Sequence, residues 1–287
     1  MSGKSRNVLP KARQKHVFAE ARTRLFDKVR QWHSAAVFGG IIRFGSKPMK
    51  VSSKSAIVFA PHQDDETFGC GGLIALKREL GTPVKVVFLT DGAGSHGGIE
   101  PHEAKRLVAV RQAEAVKAAE VLGLDEDDLL FLGYPDGGLK WVFEHEREQA
   151  IGRIAEVLRT FGPEEVYVTH RRDKHGDHEA AYQLIVAAVQ RLNLSVDIFQ
   201  YPIWAVWWSA LGKNLHRSDL LGAEALAIGA VSEKKRKAID VYRSQIEVLP
   251  RGFLNRFLWP HEIFFRTPSS SQPGDGRKVE QELAFRR

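Results

Sequence analysis

The spacing of hydrophobic and polar positions changes near Ser55. Before it, Phe18, Ala21, Leu25, Val29, Trp32 and Ala36 recur three and four residues apart with basic residues among them, the stripe of an amphipathic helix. After it, short apolar, β-branched runs alternate with longer helical stretches. Ala56–Ala60, Val84–Thr90, Leu129–Leu132, Val166–Thr169 and Val196–Tyr201 predict buried strands, and residues 67–80, 103–123, 145–160 and 178–192 predict helices. This alternation, with short connections, predicts an α/β fold: a Rossmann-like, mostly parallel sheet with helices on both faces. Such sheets bind ligands at the carboxyl ends of their strands, so chemistry is expected just after Ala60, Thr90, Leu132 and Thr169.

Charge divides the chain at a similar place. The 287 residues carry a formal charge of +7, yet residues 1–50 hold twelve Lys and Arg against only Glu20 and Asp27. The leader is therefore +10 and the remaining 237 residues, with 30 basic and 33 acidic side chains, are −3. A basic leader over residues 1–50, a body over 51–267 and a disordered Pro/Ser/Gly-rich tail over 268–287 are expected. The leader has two readings: a helix packed on the body with a solvated basic face, or a peripheral contact with an anionic membrane surface or a partner. Cys70 stands alone, which excludes an intrachain disulfide. No apolar run reaches the roughly 18 residues of a membrane span, and the expected location is cytoplasmic.

Two clusters carry chemistry. Directly after the first predicted strand comes Pro61-His62-Gln63-Asp64-Asp65-Glu66, and burying several carboxylates there requires a compensating cation or dense hydrogen bonding. After the fourth comes His170-Arg-Arg-Asp173-Lys-His175-Gly-Asp177-His178. His62, Asp65 and His178 make a two-histidine, one-carboxylate set that leaves a coordination position open, as catalytic zinc requires; iron(II) can use the same set. Asp64 is then placed beside an activated water as general base. A cationic His175, its pKa raised by Asp177, would stabilise an oxyanion or protonate the leaving amine. The glycines of Gly69-Cys-Gly-Gly72 lack phosphate-loop spacing and suit close packing at a helix start. Tyr201–Trp208 offers either a stacking face for a sugar or core.

These motifs resemble those of the LmbE-like (PIG-L) deacetylases, zinc-dependent enzymes that remove N-acetyl groups from glucosamine-containing compounds. The resemblance covers about Ser55 to Arg266. It rests on Ala60-Pro-His-Gln-Asp-Asp-Glu66 and His175-Gly-Asp-His178, with weaker support from Thr90-Asp-Gly92, Arg111-x-x-Glu114, Leu132-Gly-Tyr-Pro-Asp136 and Lys237-Ala-x-x-x-Tyr242-x-Ser244-Gln245. It implies His62, Asp65 and His178 as zinc ligands, Asp64 as base, His175 as electrophile or acid supported by Asp177, and Arg111 and Asp136 as contacts to sugar hydroxyls. It implies an amino-sugar substrate, either a small molecule or linked to lipid or glycan, and no nucleic acid. Gln63 and Gly176 replace the usual prolines, from which less rigid loops are expected. Thr169-His170-Arg171-Arg172 stands where some relatives have a tyrosine oxyanion donor. An amidase acting on a larger N-acyl or thiol-conjugate substrate is the alternative within this chemistry, and a nucleic-acid-binding protein the alternative outside it.

Overall fold

The computed structural model describes residues 28–29, 31–96, 100–208, 222–250 and 252–267. The expected tail and most of the leader lie outside them. Residues 31–40 are helical (α1) and run into a π turn, Ile41–Gly45. The strands are β1 (Lys47–Met49), β2 (Ala56–Ala60), β3 (Val84–Thr90), β4 (Leu129–Tyr134), β5 (Glu165–Thr169), β6 (Asp197–Tyr201), β7 (Ala223–Ala227) and β8 (His261–Arg266). The helices that matter here are α2 (Asp65–Glu79), α3 (Pro101–Leu122), α4 (Leu139–His145), α5 (Arg147–Phe161), α6 (Gly176–Arg191), α7 (Ala205–Trp208) and α8 (Ser232–Ile239).

All eight strands form one sheet in the order β1-β7-β8-β6-β5-β2-β3-β4. The block β6-β5-β2-β3-β4 is parallel, and β8 is antiparallel to both of its neighbours, so the sheet is mixed around the expected parallel core. Alternation along β2 divides the interior. Ala56, Val58 and Ala60 face a core completed by α1, α2, α3 and α8, while Ile57 and Phe59 face one completed by α4, α5 and α6. From β2 the chain winds outward to β3 and β4, then returns to place β5 on the other side of β2 and continues to β6. The crevice between the carboxyl ends of β2 and β5 is thus the topological switch point, where open α/β sheets bind ligands.

Close packing fixes the helix that starts there. A Cβ on Gly69 would lie 2.2 Å from the Tyr201 ring, and one on Gly72 would lie 2.5 Å from Ile228. These glycines let α2 sit directly on β6 and the end of β7, the packing role expected of them. A buried ion pair then enters the helix ladder. Lys235 Nζ donates to the Phe68 carbonyl at 2.7 Å, while Glu262 accepts the amides of Gly72 and Leu73 at 2.6 and 2.8 Å. Lys235 and Glu262 also meet each other at 2.6 Å.

Three expectations change. The boundary at residue 50 falls inside the packed unit, because Val37, Phe38 and Ile41 are core and β1 pairs with β7. The helix expected over 145–160 is α5, and a separate helix that was not expected, α4, precedes it and ends at His145. The leader stripe faces outward where it is described: α1 docks through Ser34, Val37, Phe38 and Ile41, whereas Val29, Trp32 and Ala36 are exposed, Trp32 by 79%. The Ser34 hydroxyl bonds the Val206 carbonyl and Arg256 caps the Gln31 carbonyl, which sets this rotation of the helix.

Candidate metal centre

The turn after β2 and the loop after β5 bring His62, Asp65 and His178 together. His62 Nδ1 and Asp65 Oδ2 are 3.2 Å apart, His178 Nε2 and His62 Nδ1 3.3 Å, and His178 Nε2 and Asp65 Oδ2 3.3 Å. A tetrahedral ion with bonds of about 2.0–2.1 Å separates its ligand atoms by about 3.3 Å, so the triangle fits one.

The far nitrogens orient both rings. His62 Nε2 faces Asp136 Oδ1 at 3.1 Å and Asp177 Oδ2 at 3.2 Å, and His178 Nδ1 faces Asp173 Oδ2 at 2.7 Å. With its N–H on the carboxylate side, each ring turns the opposite lone pair toward the centre of the triangle, the usual support of a metal-ligating histidine. Asp173 also accepts the amides of Ile203, Trp204 and Ala205, each at 2.9 Å, which ties the His178 ring to the chain entering α7. This role was missed in the sequence, where Asp173 is one acid among several in a loop. Burial works against charge throughout, but His178 and His62 hold Asp65 well below the carboxylate range, while hydrogen bonds to carboxylates raise His62, and Asp65 with Asp173 raises His178 to about 9. The carboxylates thus draw positive charge onto the two histidine rings.

Asp64 caps α2 with φ 152° and ψ −29°, a backbone conformation that costs an L residue about 1–3 kcal/mol. Burial pushes its carboxyl up to about 8 against the opposing pull of Arg111, whose guanidinium is 3.6 Å away. Arg111 itself is buried; it donates to the carbonyls of Gly92 and Gln63, each at 3.0 Å, and stands 3.8 Å from Asp136. Gly92 has φ +72°, and a Cβ there would strike both Gln63 and Arg111, so the Thr90-Asp-Gly motif serves this close approach. Gln63 gives its loop the opposite of the expected looseness: its Nε2 donates to the Thr90 carbonyl at 2.7 Å and fastens the turn to β3.

His175 lies beside both ligand imidazoles, with ring centroids 5.0 Å from His62 and 4.7 Å from His178. Burial, then the neighbouring charges of His178 and His62, pulls it down to about 4. Asp177 does raise it, but the Asp177 oxygens are engaged by His62 and by the amides of Gly137 and Leu139. The buried His175 Nδ1 has no hydrogen-bond partner. Trp204 lies nearly parallel to the His175 ring, at 15° and 6.4 Å. Tyr201 and Trp207 are core, so only part of the aromatic stretch borders the site. His170 is also buried, packed edge-on against Phe265 and accepting the Arg172 amide.

Fold and cluster together define an α/β protein with a buried histidine–carboxylate cluster at its switch point. Residues 57–189 match the PIG-L family model, described as GlcNAc-PI de-N-acetylase. The chain is 29% identical over 201 residues to a probable N-acetyl-alpha-D-glucosaminyl L-malate deacetylase 2 of Bacillus subtilis, covering 68% of this chain and 85% of that one. It is also 32% identical over 142 residues to a 4-oxalmesaconate hydratase of Pseudomonas putida, covering 47% of this chain and 52% of that protein. The N,N'-diacetylchitobiose deacetylase of Pyrococcus horikoshii superposes with a TM-score of 0.59 at 21% identity, over 85% of this chain and 97% of that chain, and so shares its fold.

Proposed function

We propose that this protein is a metal-dependent hydrolase that removes the N-acetyl group from an amino-sugar compound, releasing acetate and a free amine. The observation that carries the reading is the 3.2–3.3 Å triangle of His62, Asp65 and His178 with both rings oriented by carboxylates. These three residues would hold the ion, zinc in this reading, with iron(II) able to use the same donors. Such an ion supplies Lewis acidity toward the amide carbonyl and acidifies water. Asp64 receives a proton from water at a carboxylate oxygen, a task suited by the burial that raises its proton affinity. His175 offers a ring N–H to the developing oxyanion. Arg111 restrains Asp64, and in this reading Arg111 and Asp136 serve the sugar hydroxyls. Trp204 offers an apolar face beside His175.

The same proposal puts the enzyme in the cytoplasm, with residues 1–50 in peripheral contact with the inner membrane face. In support, residues 28–50 contain no acidic side chain, and Val29, Trp32 and Phe44 are exposed. No helix among the described residues is long and apolar enough to cross a membrane.

Metal analysis of the purified protein, together with acetate release from N-acetylglucosamine glycosides, nucleotide sugars and glycolipids, tests the reading. Asp64→Asn should retain the metal and lose turnover about 10²- to 10⁴-fold, whereas His178→Ala should lose both. An active Asp64→Asn variant would overturn the assigned base. Longer acyl chains in the same assay separate an N-acetyl hydrolase from an amidase of larger substrates. The hydratase relative favours a second reading, in which the same base assists water addition to an activated double bond. That reading predicts hydration of an unsaturated carboxylate such as 4-oxalmesaconate with no acetate released.

A further inference from the structure

Asp64 keeps its unusual backbone because something outside its own turn holds it. Its amide donates to Glu66 Oε2 at 3.1 Å, and its carbonyl accepts the amides of Thr67 and Phe68 at 3.1 and 2.9 Å. The carbonyl bonds are the ordinary opening of a helix. The amide bond is different, because the carboxylate reaches backward past the helix start to the residue that carries the base. Glu66 is itself held from two sides: its Oε1 accepts the hydroxyls of Thr67 and of Tyr242, each at 2.5 Å. Glu66 and Tyr242 are both buried.

Tyr242 comes from the far end of the chain, in the turn after α8. It is placed there independently of Glu66. Its ring meets Phe68 edge-on at 6.4 Å, and two residues later the Ser244 amide and hydroxyl bond Glu114 of α3 at 2.9 and 2.6 Å. The Arg111-x-x-Glu114 and Tyr242-x-Ser244 motifs thus meet each other. Glu114 anchors the segment, and Tyr242 projects from it beneath the base.

We propose that Tyr242 is a positioning residue for Asp64, acting through Glu66; this rests on Asp64 being the base. The hydroxyl–carboxylate–amide chain holds Asp64 at positive φ, and that backbone sets its carboxylate beside Arg111. Without the hydroxyl, Glu66 loses a donor and can turn away, and Asp64 relaxes to an ordinary backbone with its carboxylate displaced.

Tyr242→Phe tests this, since the ring is kept and only the hydroxyl removed. The expected result is a fall in kcat of tenfold or more, KM within twofold of the parent, and unchanged bound metal. Glu66→Gln should keep most of kcat, because its amide oxygen can accept from Asp64 while its NH2 donates to the Tyr242 oxygen. In a Glu66→Ala background, Tyr242→Phe should have no further effect. A crystal structure of Tyr242→Phe should place Asp64 at negative φ, a readout that needs no turnover.

Parent-like kcat in Tyr242→Phe, effects that multiply in the Glu66→Ala background, or an unchanged Asp64 φ would each overturn the proposal. A Tyr242→Phe protein that does not fold would overturn it too, since the hydroxyl would then be a core requirement. If the parent released acetate from no amino sugar, the functional reading would fail, and the crystal structure would still decide whether Tyr242 sets the Asp64 backbone.

Discussion

Asp173 is completely buried, and its two oxygens serve the His178 ring and three backbone amides. Asp173→Asn keeps the shape but replaces one acceptor with a donor, so the two bonds at that atom must be lost or reversed. Metal affinity should fall about 10- to 100-fold, as for other partners of ligating histidines, and isothermal titration with zinc measures it. The gathering of His62, Asp64, Asp65 and His178 was legible because each short motif follows a strand and collects residue types that an apolar core rejects. The Glu66–Tyr242 contact was not legible, since its partners are 176 residues apart and each alone reads as an ordinary helix or turn residue. The surroundings of His175 were not legible for a related reason. Adjacency in sequence suggested Asp177 as its partner, whereas the fold points Asp177 at His62 and surrounds His175 with imidazoles.

Among the elements, α2 carries the most constraint, because it bears Asp65 and Glu66 and lies against β6 with almost no clearance. Gly69→Ala should destabilise the protein by about 1–3 kcal/mol, measured by urea denaturation, since the new methyl must displace the Tyr201 ring. Glu262→Ala should cost more, about 3–5 kcal/mol, because it strands the Lys235 charge in the interior and frees two helix amides. The outward stripe of α1 makes a separate prediction. Trp32→Ser with Phe44→Ser, both exposed, should abolish sedimentation with phosphatidylglycerol vesicles at low salt while leaving acetate release from a water-soluble substrate unchanged; unchanged sedimentation would refute the membrane contact. Strands β2 to β6 were readable from their β-branched runs. Strand β7, Ala-Glu-Ala-Leu-Ala, was not, because alanine favours helix and only pairing with β1 and β8 makes it a strand. The stripe in α1 was legible as a period but not as a direction, which Ser34, Val37 and Phe38 decide.

On the scale of the whole molecule, an ion bound by His62, Asp65 and His178 would join the two halves of the sheet where they diverge. Ligands that bind only the folded state stabilise it, by about 2.7 kcal/mol at a hundredfold excess over Kd. Chelation should therefore lower Tm by about 5 °C or more, as well as stop turnover, and calorimetry with and without a chelator checks this.

The place of β5 in the sheet bears on how the chain is made. It pairs with β2 on one side and β6 on the other, and the two histidines that meet across the switch point are 116 residues apart. During synthesis His62, Asp64, Asp65 and Glu66 leave the ribosome well before His178 exists. Until β5 inserts, that turn has no imidazole from the second half to offset its acids, and water must solvate them. A nascent chain arrested after β4 should consequently hold no zinc, and the centre closes only when the second half of the sheet is in place.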